Sequence, residues 1–424
     1  MSIRLRTALL CFFTFLLAAC NLPSPAVPGQ NATSLPPALS SPTVPVPVPP
    51  TNTTAPATPS KPNEYIVIAQ LNMWYHGPGC YGGFEAFDCS GKRTTPFEPA
   101  LGHTYSSDDP KVVQQQIDWA ADYGVDAFSL EWTTPAEVSG SMEPTFDNVF
   151  LKAPNLNRIR WCIYDDFVLR LDQTRDLGVD INKGIDFDNP KVYNTFVSDF
   201  GHFAQKYFGQ AQYLKVDGRP VITFFADWNY QGNFAGAIKD ARAAAAKYGY
   251  DVYIVGEEAR ADHFDARRVA LFDATTIFNF ANPGLPDKPD MGQEAVMLDK
   301  FFKRWKSEIK GLKVTGRSDP VSFEPAFGPQ EDSRLFAPPS NQIYVPALSK
   351  DQVVAMASVA RENAEPAGSQ GWKLVWVNTW NGWAEGTTIE PTANLGPKYP
   401  AGNYGFDFVE AMREVFGPEV FPPN

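Results

Sequence analysis

Histidine and positive charge are both scarce in this 424-residue chain, and each shortage argues against a class of function. The four histidines are scattered, and no two have a metal-binding spacing such as HExxH. We therefore expect no zinc site, while a calcium site made of acidic side chains stays open. The net charge of −12 argues against nucleic acid as a partner. No GxGxxG or GxxxxGK[ST] motif follows an apolar run, so we predict no nucleotide and no other cofactor.

The N-terminus has the features of an export signal. Arg4 and Arg6 precede an apolar stretch at 9–19 that is too short to span a bilayer. The sequence Leu-Ala-Ala-Cys that ends at Cys20 resembles the lipobox of bacterial lipoproteins. The resemblance implies cleavage before Cys20 and a diacylglyceryl group on its sulfur, hence an anchor in a membrane of the bacterial cell envelope. Asn21, in place of Asp, favours the outer membrane or the cell surface.

Composition divides the chain into a signal peptide (1–19), a lipidated cysteine with a Pro-rich linker (20–62) and a folded domain (63–424). The linker is almost entirely Pro, Ala, Ser, Thr, Val and Asn, and it cannot bury a core. No second low-complexity stretch follows, so we expect one domain. A monomer is predicted, although no motif of the sequence specifies the oligomeric state. Export favours a disulfide between Cys80 and Cys89, which flank a short Gly-rich loop, whereas Cys162 lies in an apolar run and is predicted to be a buried thiol.

Eight apolar, β-rich runs follow, mostly separated by helical patterns. The runs are 65–71, 126–132, 159–164, 220–225, 251–256, 274–280, 320–323 and 373–379. Asp109-Pro110 and Asn189-Pro190 supply an N-cap and a first-turn proline for two of the helices. This alternation predicts an α/β fold, a (β/α)8 TIM barrel with long loops after the strands. An open doubly wound sheet is the alternative.

Acidic, amide and aromatic side chains stand where these runs end. In a (β/α)8 barrel the carboxyl ends of the strands form one mouth, where the active site lies. Burying many carboxylates there costs several kcal/mol unless they are paired, protonated or solvated, so a functional cleft is the simpler interpretation. The residues are Asn72, Trp74, Tyr75, Glu131, Trp132, Asp165, Asp166, Asp227, Trp228, Glu257, Glu258, Asn279, Asn282, Glu324, Trp380, Asn381, Trp383, Glu385 and Glu390.

The segment 373–391, KLVWVNTWNGWAEGTTIEP, is the most informative part of the chain. It begins as a buried strand and then presents flat aromatic rings, amides and carboxylates. Such rings stack on the apolar faces of sugars, amides bind hydroxyl groups, and a carboxylate can move a proton. The pattern is typical of a carbohydrate site, and two carboxyl groups with separated pKa values suffice for glycoside hydrolysis.

The block WNGWAEGTTIEP resembles the WNEWAEGT-x-x-EP block of the glycoside hydrolase family 99-like proteins. That group includes endo-α-mannosidases and WbsX-type proteins of polysaccharide loci, and it is related to the family 71 α-1,3-glucanases. Trp74-Tyr75 is similar to the family's YYPWY start, LGHTYSSDDP at 101–110 to its LLGEYDSSDP segment, and GVDAFSLEW at 124–132 to its second strand. The resemblance implies a barrel, a carbohydrate substrate and a functional role for Glu385.

Two departures limit what the resemblance implies. The endo-α-mannosidases carry two catalytic glutamates in an HxEPYxGR-like segment near the third strand, where this chain has WCIYDDFVLR at 161–170. Gly382 stands where the terminal block usually has Glu. Mannosidase specificity and its hydroxyl-assisted mechanism are therefore not expected to carry over.

The leading hypothesis is an exported, lipid-anchored glycoside hydrolase that cleaves a poly- or oligosaccharide by paired carboxylates. Glu385 is the predicted acid, with Asp165 or Asp166 as its partner. The predicted stacking surfaces are Trp74, Tyr75, Trp132, Trp228, Trp380 and Trp383. The predicted hydroxyl ligands are Glu131, Asp227, Asn381 and Glu390, with Glu257 and Glu258 in reserve.

Two alternatives stay open. A glycan-binding surface lipoprotein without activity is favoured by Gly382 and by the missing glutamate pair. A WbsX-like protein associated with glycosyl transfer is disfavoured by export, because nucleotide sugars are cytoplasmic.

Overall fold

The computed structural model describes residues 64–75, 95, 97–102, 105–138, 141–173, 184–258, 264–277, 294–335, 344–345, 348–393 and 404–417. They belong to one unit, Lys61–Asn424. The export signal, the lipidated Cys20, the linker, and the Cys80–Cys89 pair lie outside these residues and stay predictions. Cys162 is buried and not part of a disulfide, as expected. Among the described residues, no helix has both the length and the apolar character needed to cross a bilayer.

Parallel strands form the centre of the domain. They are β1 (Tyr65–Leu71), β2 (Ala127–Trp132), β3 (Arg160–Asp165), β4 (Arg219–Phe224), β5 (Tyr253–Gly256), β6 (Ala274–Thr275), β7 (Ser322–Phe323), β8 (Ala326–Phe327) and β9 (Trp372–Val377). Their order in the sheet is β7-β6-β5-β4-β3-β2-β1-β9-β8, and all neighbours are parallel. Smaller two-residue strands pair at Ile185–Asp186 with Tyr230–Gln231, Lys215–Val216 with β4, Pro366–Ala367 with β9, and Glu331–Asp332 with Tyr344–Val345.

The two ends of this sheet, β7 and β8, are parts of one chain segment separated only by Glu324 and Pro325. β7 pairs with β6, and β8 pairs with β9. The segment therefore occupies the seventh of eight positions in the curled sheet, but its hydrogen-bonded ladder changes partners at the proline and does not close as a continuous ring. The predicted (β/α)8 class is confirmed, with the ring open at this position.

Helices lie between most of the strands. They are α1 (Pro110–Asp122), α2 (Glu143–Asn148), α3 (Phe167–Gln173), α4 (Pro190–Lys206), α5 (Phe234–Ala246), α6 (Ala266–Val269), α7 (Glu294–Ile309), α8 (Lys350–Asn363) and α9 (Asp407–Phe416). Short 3-10 turns occur at Phe150–Lys152, Leu156–Arg158 and Asp227–Asn229. The two predicted caps are present: Asp109 accepts the Lys111 N–H at 2.9 Å, and Asn189 accepts the Lys191 N–H at 3.0 Å.

Strand alternation decides which side chains reach the interior of the barrel. Successive side chains of a strand point to opposite faces, and the central strands are buried on both faces. Glu131 is in register with Tyr164, and Trp132 with Asp165. The Trp132 ring packs edge-on against Phe203 of α4, with ring centroids 4.6 Å apart. Trp132 and Asp165 therefore face the helices, whereas Glu131 and Tyr164 face the barrel interior.

Candidate active site

A hydrogen-bonded pair of carboxyl groups, Glu131 and Asp166, lies at the carboxyl ends of β2 and β3. Both side chains are buried. Gln70 on β1 donates to Glu131 Oε2 at 3.2 Å. Burial raises the pKa of Glu131 well above its ordinary value, and the charges of Asp166 and Glu385 raise it further. Glu131 is thus the member of the pair that burial and charge hold in the neutral form.

Asp166 has two roles in this arrangement. Its Oδ1 accepts the N–H of Leu169 at 2.8 Å, which caps the first turn of α3. Burial raises its pKa to about 7, although the backbone donors and Glu131 act in the opposite direction. Two carboxyl groups can share a hydrogen bond only when one of them carries a proton, so the pair retains a proton near neutral pH.

Glu257 brings a third carboxyl group to the same end of the barrel, after β5. The Tyr164 hydroxyl donates to its Oε1 at 2.9 Å, and the Ala226 N–H donates to its Oε2 at 3.0 Å. Burial raises the pKa of Glu257 well above its ordinary value, and the charge of Asp166 adds to the effect. Tyr164 therefore links the Glu131–Asp166 side of the mouth to the β5 side.

Glu385 lies in the loop that follows β9 and is half-buried. Its backbone C=O accepts the Asp332 N–H at 3.0 Å, which fixes the loop against the Glu331–Asp332 strand. Its carboxyl group is close enough to Glu131 to raise the pKa of that residue. The predicted acid and the Glu131–Asp166 pair are thus neighbours in the mouth.

Asp165 lies on the other face of β3 from the barrel interior. It is buried, and the charge of Asp199 on α4 raises its pKa beyond the effect of burial, whereas Arg170 on α3 opposes this. Arg170 itself is paired with Asp199 at 3.1 Å. The sequence left Asp165 and Asp166 as equal candidates, and the structure brings Asp166, not Asp165, to Glu131.

Asp227 and Glu258 lie in the loops beside the acidic cluster, the name used here for Glu131, Asp166, Glu257 and Glu385. The Glu257 N–H donates to Asp227 Oδ2 at 3.1 Å, and burial raises the pKa of Asp227 well above its ordinary value. Glu258 forms a buried ion pair with Arg268, whose guanidinium also donates to the backbone carbonyls of Asp227 and Tyr230. Glu258 therefore holds the loops after β4 and β5 together.

Asn381 and Glu390 are engaged within the protein. The Asn381 amide donates to the Asn72 C=O at 2.9 Å and to the Tyr105 hydroxyl at 2.8 Å, and it accepts the Asn72 N–H at 2.8 Å. The Glu390 carboxyl accepts from Tyr105 at 2.8 Å and from Gln116 at 3.2 Å. Their predicted role as hydroxyl ligands stays untested, but these contacts fix the loop after β9 to Asn72, which follows β1, to Tyr105 and to α1.

The predicted stacking residues divide by exposure. Trp74 and Trp228 are partly exposed, which suits them to contact a ligand. Trp380 packs edge-on against Phe128 at 5.2 Å, and Trp383 against Tyr105 at 6.2 Å. The fully buried members are Tyr75, Trp132, Trp380 and Trp383.

Glu324 directly follows β7, and its side chain is bonded within the protein. It accepts hydrogen bonds from the Tyr253 hydroxyl at 3.0 Å and from Trp376 Nε1 at 2.7 Å. Tyr253 is the first residue of β5, at the opposite end of that strand from Glu257. Burial raises the pKa of Glu324 to about 7, so this carboxyl group is a polar part of the barrel interior.

Sequence reasoning missed Gln70 and Tyr164, which contact the acidic cluster directly. Gln70 is a polar residue in an otherwise apolar strand, YIVIAQL, and lies two positions before Asn72 on the same face. Tyr164 precedes the two aspartates that the sequence singled out. Side chains alternate between the two faces of a strand, and this alternation could have assigned both residues to the interior.

Among the described residues, no group of three or more His, Cys, Asp or Glu side chains is arranged to hold a metal ion.

The fold is that of solved glycoside hydrolase structures. One is a glycoside hydrolase-like protein, with a TM-score of 0.61, 19% identity, and coverage of 86% of this chain and 97% of the other. Another is the GH99 endo-α-mannosidase of Bacteroides thetaiotaomicron, with a TM-score of 0.55, 14% identity, and coverage of 84% and 96%. A second structure of that enzyme has a TM-score of 0.53 and 15% identity, and the match covers 84% of this chain and 97% of the other. No family model and no curated protein matches the sequence.

Proposed function

We propose that this protein is a glycosidase that hydrolyses a glycosidic bond in an oligo- or polysaccharide. The observation that carries the proposal is the hydrogen-bonded Glu131–Asp166 pair, buried at the carboxyl end of a barrel and close to Glu385. A carboxyl group whose pKa is raised by burial, beside a second carboxyl group, is the arrangement that acid-catalysed glycoside cleavage requires.

In this proposal Glu131 is the acid. It gives its proton to the glycosidic oxygen as the bond from that oxygen to the anomeric carbon breaks. Asp166 shares the proton before transfer and keeps the Glu131 pKa high. Glu385 supplies the second carboxylate, which stabilises the positive charge that develops at the anomeric carbon. A water molecule then adds to that carbon and gives a proton back to Glu131, so one water is consumed for each bond cleaved. This reverses the sequence-based roles, in which Glu385 was the acid and Glu131 a hydroxyl ligand.

The finer parts of the proposal rest on sequence. The lipobox ending at Cys20 supports export and a lipid anchor in the cell envelope, and the WNGWAEGTTIEP block supports a family 99-like type. A Cys80–Cys89 disulfide suits the same compartment. Labelling with a radioactive fatty acid, lost on Cys20→Ala, tests the anchor. Mass mapping that finds both thiols free would contradict the disulfide.

A polysaccharide digestion panel with product mass spectrometry tests the activity. It compares wild type with Glu131→Gln, Asp166→Asn and Glu385→Gln. If the roles are correct, Glu131→Gln and Glu385→Gln lose about 10²-fold or more in rate, because each removes a group that acts in bond cleavage. Full activity in both variants would overturn the assignment.

Gly382 favours one alternative, a glycan-binding protein without turnover. A Cβ at this position would overlap the hydroxyl groups of Thr387 and Thr379, so there is no space for the glutamate that the resembling block usually has. Saturable binding of glycans by wild type, with no product after prolonged incubation and no change on Glu385→Gln, would support this alternative.

A further inference from the structure

A short β-hairpin is attached to the loop that carries Glu385. Its strands, Glu331–Asp332 and Tyr344–Val345, are antiparallel, with Asp332 paired to Tyr344. The Asp332 N–H donates to the Glu385 C=O at 3.0 Å. Gly386 has φ +68°, and a Cβ there would lie 2.7 Å from the Asp332 nitrogen, so the two backbones are in close contact. Tyr344 is therefore one cross-strand pair away from the backbone of Glu385.

Tyr344 is an exposed aromatic residue with a fixed cation beside it. It is 45% exposed. The Arg334 guanidinium lies 3.5 Å from the centre of its ring. Asp332 holds that guanidinium through two hydrogen bonds of 2.7 and 2.8 Å. Leu335, next in the chain, is 36% exposed. Ring and guanidinium are thus held in place at the surface by the strand that contacts the Glu385 loop.

We propose that Tyr344 and Arg334 form a distal sugar-binding subsite for a unit of the glycan beyond the bond that is cleaved. An aromatic ring presents an apolar surface to the C–H face of a pyranose, and a guanidinium donates hydrogen bonds to its hydroxyl groups. The inference deepens the proposed function and rests on it. It assigns the substrate class as an extended glycan, which reaches from the acidic cluster to the hairpin.

The chain supplies a matched control. Tyr248 is 48% exposed and follows α5, which runs back to the amino-terminal end of the barrel. Tyr248→Ala therefore removes an equally exposed tyrosine far from the mouth, whereas Tyr344→Ala removes the subsite ring.

The test measures the Kd of a long and a truncated form of one glycan by calorimetry, in the Glu385→Gln background and independently of turnover. We expect Tyr344→Ala to weaken binding of the long form about tenfold, or about 1.4 kcal/mol, and to leave the truncated form unchanged. Tyr248→Ala should change neither. An unchanged Kd of Tyr344→Ala for the long glycan would overturn the subsite, whereas absence of turnover in wild type would contradict only the proposed hydrolysis. Absence of any glycan binding by both wild type and Glu385→Gln would overturn both.

Discussion

Adjacent residues of the same type can have opposite surroundings, and Asp165 and Asp166 differ in this way. Asp166 contacts Glu131 and caps α3, whereas Asp165 faces the helices near Asp199. We expect Asp166→Asn to lose about 10²-fold or more in rate because it removes the partner that shares the acid's proton. Asp165→Asn, an isosteric change one position away, should stay within severalfold of wild type. The initial rates of the two purified variants test this expectation. A larger loss of rate in Asp165→Asn than in Asp166→Asn would refute the assignment of Asp166.

The packing around Gly382 leaves no space for a side chain at this position. A Cβ there would be 2.6 Å from the Thr379 hydroxyl oxygen and closer still to that of Thr387. We expect Gly382→Ala to lower the free energy of unfolding by about 1–3 kcal/mol through overpacking. Urea denaturation measures the change.

Gly201 provides the control for that measurement. It lies within α4, and a Cβ there would have no heavy atom within 4 Å. Gly201→Ala should be neutral or stabilise the protein by up to about 1 kcal/mol, because alanine has the higher helix propensity. Equal effects of the two substitutions would contradict the steric explanation.

The loop after β9 is the element that closes the site, and Asn381 holds it to β1. Asn381→Ala would remove three buried hydrogen bonds and leave the N–H and C=O of Asn72 without these partners. We expect a loss of about 3 kcal/mol in the free energy of unfolding. Asn189→Ala, which removes an exposed helix cap, should cost only about 1 kcal/mol. A smaller loss for Asn381→Ala than for Asn189→Ala, measured by chemical denaturation, would show that the loop is held by other contacts.

Helix beginnings and the long strands follow from local chemistry that the sequence displays. Asp109-Pro110 and Asn189-Pro190 start helices as predicted, because a side-chain acceptor and a proline suit the first turn. The sixth and seventh strands were less predictable. β6 has two residues where the apolar run suggested seven, and Pro325 divides the seventh position into β7 and β8. Pairing partners, not propensity, decide the length of such strands.

The composition of the mouth was predictable, but the role of each side chain was not. Acidic residues at strand ends indicated a carboxyl cluster, and Glu131, Asp166, Glu257 and Glu385 form one. Glu390 was predicted to lie at the mouth, but its hydrogen bonds to Tyr105 and Gln116 were not predicted. These two residues come from segments almost 300 positions away in the chain. Contacts of this kind depend on tertiary packing, which no local pattern encodes.

At the scale of the whole molecule, buried carboxyl groups make stability depend on pH. Burial raises the pKa of Glu390 to about 8, from an ordinary value of 4.5. The folded state therefore binds this proton more tightly than the unfolded state, and stability falls as the pH rises from 4.5 to about 8. At about 1.4 kcal/mol for each pKa unit, the loss is of the order of 5 kcal/mol.

The Glu390→Gln variant isolates this effect, because the amide cannot ionise. We expect wild type to lose stability relative to the variant as the pH rises, by several kcal/mol between about pH 5 and pH 9. Thermal or urea unfolding of the two proteins at several pH values measures the difference. A constant difference across that range would mean that Glu390 does not titrate abnormally in the folded protein.

The most direct test of Glu131 as the acid compares kcat/KM of wild type and Glu131→Gln on one glycan from the digestion panel, at the pH of highest wild-type activity. We expect the amide, which keeps the shape but has no acidic proton to transfer, to lower kcat/KM by about 10²-fold or more, with an unchanged fold by circular dichroism. A folded Glu131→Gln variant with the kcat/KM of wild type would rule out Glu131 as the acid.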